Sequence, residues 1–225
     1  MNQLSFNLIA IGVFVVVMTS LLGPLIHLSP VVPAVTVAGI MGLAALDTLG
    51  WQNRGSTLLL DWIAQFSAEH RDRILHHEAG HLLVAQKVGI PVTGYTLTAW
   101  EAFRLGQPGN GGVQFDTTEL DAELNQGKLS STLIDRYCIV WMAGIAAETL
   151  TYGSAEGGAG DREQIQLLFN VLKRPASEAT QKERWAILQA KTLLQEAQDV
   201  YEPLVEAMRS RQPVSICQQL VSEKN

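Results

Sequence analysis

The first 53 residues contain no lysine or arginine, and Asp47 is the only acid among them. That absence of charge limits what this end of the chain can become. Leu4 to Leu22 is an apolar run interrupted by Ser5, Asn7, Thr19 and Ser20. Gly23-Pro24 breaks it, and Val31 to Leu49 is a second run. About 20 apolar residues in a helix match the hydrocarbon core of a bilayer. Two such runs joined by the short loop 23–30 predict a transmembrane hairpin over residues 1–52, with spans at 4–22 and 31–49. Trp51 stands where an interfacial anchor belongs. A signal peptide fits less well, because the start is not basic and no small-residue cleavage site follows. The loop has no basic residue, whereas Arg54, Arg71 and Arg73 follow the second run. The positive-inside bias therefore puts the N-terminus and everything beyond residue 52 on the cytoplasmic side, or the equivalent stromal or matrix side. Asp47, near the end of its run, reaches the interface.

Residues 53–66 read as a linker or amphipathic helix. Ser56 is placed to cap it, and Leu58, Leu59, Trp62, Ile63 and Phe66 share one broad face. That face either packs on the domain that follows, the favoured reading, or lies on the membrane surface. Residues 67–225 are long enough for one globular domain.

The chemistry of that domain is concentrated in His77-Glu78-Ala79-Gly80-His81. On a helix, residues four apart lie on one face, so the two imidazoles point at one spot. Glu78 is one step round, within reach of a water on a metal held there. This is the H-E-x-x-H pattern of two zinc ligands and a general base. The surroundings read as a helix: Ser67 is a natural N-cap, Glu69 sits in the first turn, and Gly89 with Pro91 forms the stop. Ala79 and Gly80 are small, so another element can approach closely beside the ligands. Asp161, Glu148, Glu156 and Glu163 are candidates for a third ligand. Glu148 reads better as a partner that orients a histidine through its ring N–H. His70 and His76 lack ligand spacing. Cys138 and Cys217 make no framework, and nothing in the chain suggests cysteine catalysis.

Further along, residues 92–98 and 112–115 read as strands around a Gly- and Pro-containing loop, 101–111. In such enzymes a strand edge beside the metal binds substrate backbone. Ser130 or Ser131 caps a helix that ends at Tyr152-Gly153. Asp161 opens another, to about Leu172, and Pro175 ends it. Residues 178–220 are helical in pattern with a break near Pro203. The fold class expected is mainly α: a two-helix transmembrane hairpin, then a helical zincin-like domain with a small β-hairpin.

The segment HEAGH followed by Leu82, Leu83, Val84 and Ala85 resembles the protease domain of FtsH-type membrane zinc metalloproteases. So do Ala143-Gly144-Ile145-Ala146-Ala147-Glu148, Tyr152-Gly153 and Gly158-Ala159-Gly160-Asp161. The likeness spans residues 67–210. The last segment reads G-A-x-D where the family has G-A-x-x-D, and Ile145 replaces the family's arginine. The resemblance implies Zn2+ held by His77, His81 and Asp161, with Glu78 as base. It also implies a membrane-anchored endopeptidase acting on unfolded or membrane proteins, in quality control or stress response. The ATPase module of that family has no room between residues 49 and 67. No G-x-x-x-x-G-K-[ST] loop occurs either, so the chain itself is not expected to bind ATP. Nucleic acid is not an expected partner. The alternative is a non-catalytic scaffold or partner subunit of full-length FtsH-type ATPase-proteases. The presence of Glu78 favours the enzyme.

Overall fold

The computed structural model describes residues 3–29, 31–50, 54–107 and 111–223. The chain divides into two compact units, Met1–Ser67 and Ala68–Asn225. Residues 54–67 fall in the first unit.

The first unit holds α1 (Gln3–Leu22), a 3-10 helix (Gly23–Ile26), α2 (Val31–Gly50) and α3 (Arg54–Ala64). The helix α2 is long and apolar enough to cross a membrane, and a shorter apolar stretch, Ile9–Leu25, runs through α1. Large apolar side chains such as Phe14, Ile40 and Leu43 stay exposed along both helices. The expected anchor Trp51 lies outside the described residues. The cap of α3 comes from Asp47, not from Ser56. The Asp47 carboxylate accepts the Gly55 and Ser56 amides, each at 2.8 Å, and the Ser56 hydroxyl as well. An ionised carboxylate outcompetes a hydroxyl for helix-end amides.

The second unit is helical around one small sheet. In order it holds α4 (Ala68–Val88), β1 (Val92–Thr96), α5 (Ala99–Arg104), β2 (Gly112–Phe115), α6 (Thr118–Asn125), α7 (Ser131–Tyr152), α8 (Ala159–Val171), α9 (Ala176–Glu196), α10 (Gln198–Arg209) and α11 (Val214–Ser222). The strands pair antiparallel, with Val92 opposite Phe115 and Thr96 opposite Gly112. The axis of the unit is α4, whose residues Ala79 to Ala85 are all buried. The helices α7, α10 and α11 pack around it, and α9 backs α7.

The helix ends follow local chemistry. Gly89 adopts φ 75°, and Ile90 N–H reaches back to Ala85 at 2.8 Å, closing α4. Ser130 Oγ accepts the Leu133 amide at 3.2 Å to open α7, and Gly153 at φ 81° ends it. Three expectations need correction. Part of the loop 101–111 is helix α5, which Thr98 caps by accepting the Glu101 amide. The helix α6 was missed between β2 and α7. The C-terminal break falls at Ala197 and again at residues 210–213, while Pro203 sits inside α10. Placed six residues into α10, Pro203 forfeits a single intrahelical bond and leaves the helix intact.

Candidate metal centre

Three helices build the site. The first, α4, supplies His77 and His81, whose ring centroids lie 4.7 Å apart. The seam between α4 and α7 is made of small residues. A Cβ on Gly80 would come within 2.6 Å of Ala147 Cβ and 2.8 Å of the Ala143 carbonyl. A Cβ on Gly144 would lie 2.3 Å from His77 Nε2. The seam therefore depends on these two glycines, as the small residues of the motif suggested.

The third helix, α8, begins at Ala159, two residues before Asp161. Gly158 precedes it at φ 86°, where a side chain would be strained and would run into Ile145. The Gly157-Gly158 approach thereby brings Asp161 onto the histidines. Asp161 Oδ2 lies 3.1 Å from His77 Nε2, and Oδ1 lies 3.4 Å from His81 Nε2. Asp161 is thus turned towards the histidines and is not the cap of its helix.

The other nitrogen of each ring is already committed. His77 Nδ1 donates to Glu148 Oε1 at 2.7 Å, and His81 Nδ1 donates to the Val140 carbonyl at 2.8 Å. Those bonds select the tautomer in which both Nε2 lone pairs face the same point. One ligand atom from each of His77, His81 and Asp161 fits within a span of 4.8 Å, so the group can hold a metal ion. Of the other candidates, Glu148 orients His77, while Glu156 and Glu163 are exposed.

Charge argues for a cation here. Burial lowers the His77 pKa, but its bonds to Asp161 and Glu148 outweigh this and raise it to about 10. For His81 too, burial is overcome, mainly by Asp161, and the pKa rises. Burial pushes the Asp161 carboxyl up, yet His81 and His77 hold it far below the usual range. Two carboxylates, Glu148 buried and Asp161 part-buried, call for positive charge, which either protonated imidazoles or a metal supplies.

Three supports were not legible beforehand. The Glu78 carboxylate accepts the Val113 amide at 2.8 Å through Oε2, on the β2 edge that faces away from β1. Arg73 lies one helical turn before His77. It approaches Glu148 at 3.7 Å, donates to the Ser154 carbonyl and stacks over the Tyr152 ring. Only its i−4 spacing from His77 hinted at this place. Glu148 also accepts the Glu156 and Gly157 amides, so both its oxygens are bonded.

On another face of α4, His76 Nδ1 donates to the Tyr201 hydroxyl at 3.1 Å, and that hydroxyl donates in turn to the His76 carbonyl at 2.9 Å. Nearby, Asp72 takes the Tyr152 hydroxyl at 2.8 Å and pairs with Arg209 at 2.7 Å. His76 therefore plays no part in the metal group, as its spacing implied. Burial pushes the Cys138 thiol up to about 12, which leaves it without nucleophilic character.

Family models give no match to this chain, and a search of curated proteins finds no relative.

Proposed function

We propose that the chain is a membrane-anchored, zinc-dependent endopeptidase of FtsH type, carrying the protease module without the ATPase module. The observation behind this reading is the convergence of His77 Nε2, His81 Nε2 and the Asp161 carboxylate, with Glu78 on the same helix. Two imidazoles and one carboxylate are the donor set of a catalytic zinc site with an open position. Magnesium and calcium favour oxygen ligands alone. Held by these three residues, zinc would supply Lewis acidity, lowering the pKa of a water and polarising the scissile carbonyl.

Glu78 handles the proton. Val113 N–H holds Oε2, so Oε1 accepts the proton of the attacking water and returns it to the leaving nitrogen. A C–O bond forms, the C–N bond breaks, and the products are a carboxylate and an amine. No covalent enzyme intermediate is needed. Glu148 and the Val140 carbonyl keep both imidazoles in one tautomer throughout. The outward edge of β2, where Val113 touches Glu78, offers an extended peptide a strand to pair with.

In this reading α1 and α2 are two membrane spans. The positive-inside bias of Arg54, Arg71 and Arg73 favours the cytoplasmic, stromal or matrix side for the catalytic unit. Substrates are unfolded or membrane proteins, in quality control or stress response. Full-length FtsH-type subunits are partners of the kind that would deliver folded ones.

The test is Glu78→Gln in the purified full chain. Casein hydrolysis should fall by about 10²–10⁴, the usual value of general-base catalysis. Zinc should stay near one per chain, because three other residues hold it. ATP should change neither rate. Equal, background-level hydrolysis in both proteins, with full cellular function of the variant, would replace the enzyme by the scaffold.

A further inference from the structure

We infer that α3 lies in the plane of the membrane surface, with Leu59, Trp62 and Phe66 set into the boundary between lipid headgroups and acyl chains. The inference rests on the reading of α2 as a span. Leu59 and Trp62 are three residues apart on one side of α3, and Phe66 follows in the turn just beyond its end. Each is more than half exposed, at 57%, 61% and 72%. Trp62 and Phe66 meet edge to face at 5.1 Å, so they form one aromatic ridge. Leu58, Leu60 and Ile63 are half-buried within the N-terminal unit, which leaves the ridge as the outward side.

The Asp47 clamp identifies lipid as the occupant. Asp47 belongs to the last turn of α2, and its carboxylate holds the Gly55 and Ser56 amides of the first turn of α3. The first turn of α3 is therefore fixed beside the end of α2. A 20-residue helix is about 30 Å long, the thickness of the hydrocarbon core, so its end emerges at the interface. The start of α3 shares that depth. Aromatic rings are favoured there, and a helix with one apolar side lies flat at this level. The clamp also explains an acid inside an otherwise uncharged run: its carboxylate is matched by the positive end of the α3 dipole.

The test uses the full chain in vesicles of phosphatidylcholine and phosphatidylglycerol. Leu59→Cys, Trp62→Cys and Phe66→Cys each carry an environment-sensitive fluorophore. Cys138 and Cys217 are buried and stay unlabelled. At all three positions emission should shift to the blue, and quenching by iodide should be several-fold weaker than at exposed Glu206→Cys. Lipids bearing a shallow nitroxide should quench all three strongly. Iodide quenching equal to that at Glu206→Cys would overturn the inference. So would protection from both quenchers, which would mean that protein, either the catalytic unit or a second copy, covers the ridge. Leu43→Cys reports on the span itself. Quenching there by a deep nitroxide, with none by lipid at the three ridge positions, overturns the inference alone. No lipid quenching at Leu43→Cys overturns the membrane reading and this inference with it.

Discussion

Gly144→Ala adds one methyl group at the tightest point of the α4–α7 seam. The new Cβ would lie 2.3 Å from His77 Nε2, 2.4 Å from Cδ2 and 2.5 Å from Cε1. The nearest atom is the nitrogen that faces Asp161. Ordinary contact begins near 3.4 Å, so the ring or the helix must retreat by about 1 Å. The ring has little freedom, because Glu148 holds Nδ1 at 2.7 Å and Asp161 lies 3.1 Å from Nε2. Backing α7 away instead would open a void along Gly80, Ala143 and Ala147. Overpacking of this kind costs about 1–3 kcal/mol. For a domain of this size that lowers Tm by roughly 3–10 °C. Disturbed ligand orientation costs about 10–100-fold in metal affinity, and a 1 Å misplacement costs about 10² in rate. The assays are zinc competition with a chromophoric chelator, thermal circular dichroism and peptide hydrolysis. Gly160→Ala is the control: it adjoins Asp161, yet nothing lies within 4 Å of its added Cβ. It should keep metal and rate and gain about 0.5 kcal/mol from a stiffer unfolded chain. Wild-type zinc affinity and hydrolysis in Gly144→Ala would refute the argument, as would loss of metal in Gly160→Ala.

Asp161→Ala should abolish zinc retention on dialysis, while Glu148→Ala should keep about one zinc per chain at about 10–100-fold lower affinity; the reverse pattern would exchange their roles. Zinc uptake at pH 8 should release protons in a weakly buffered titration, because His77 without metal stays charged up to about pH 10 and must be neutral to bind. Burial raises the Asp72 pKa, but the Tyr152 hydroxyl and Arg209 lower it more, so the folded value lies below the unfolded one. Its stabilisation is then present above about pH 4 and lost as pH falls through the folded value. Urea titrations of Asp72→Asn should show lower stability at pH 7 and a shallower loss in acid, and an unchanged acid slope would refute the assignment. Ser130→Ala removes the cap of α7 and should cost about 1 kcal/mol in the same titrations.

Much of the site was legible because its logic is helical. The four-residue spacing of His77 and His81 is a statement about one face of α4, and it needed no tertiary information. Ser130 and Gly153 likewise bounded α7 to within a residue, because capping is local chemistry. Asp161 lies 80 residues beyond His81, and only the resemblance selected it over Glu148; periodicity carried no such information. What stayed hidden was backbone chemistry. The Val140 carbonyl and the Val113 amide are available to any sequence, so nothing in the residue types marks them. The helix α5 reads as loop in the sequence because Gly106, Pro108, Gly109 and Gly111 dominate the composition of that stretch, while the Thr98 cap that starts it is a single residue. Pro203 misleads for the opposite reason: midway through α10 it removes one intrahelical bond, and the buried face of Val200, Tyr201, Leu204, Val205 and Met208 outweighs that loss.

The burial of α4 has a consequence in time as well as in space. From Leu75 to Ala85 only Glu78 is not buried. Amides in such a helix exchange with solvent only when the whole unit opens, so their protection should equal the global unfolding free energy. The two histidines stand on a segment that opens only with the whole unit, so local fraying does not dismantle their pairing. Asp161 sits in the first turn of α8, behind two glycines, and Glu78 leans on the edge of a two-stranded sheet. Those two contacts are free to loosen on a much faster clock. Any control of the site short of unfolding must therefore act at the α8 entrance or at β2, and native-state hydrogen exchange would register it there first.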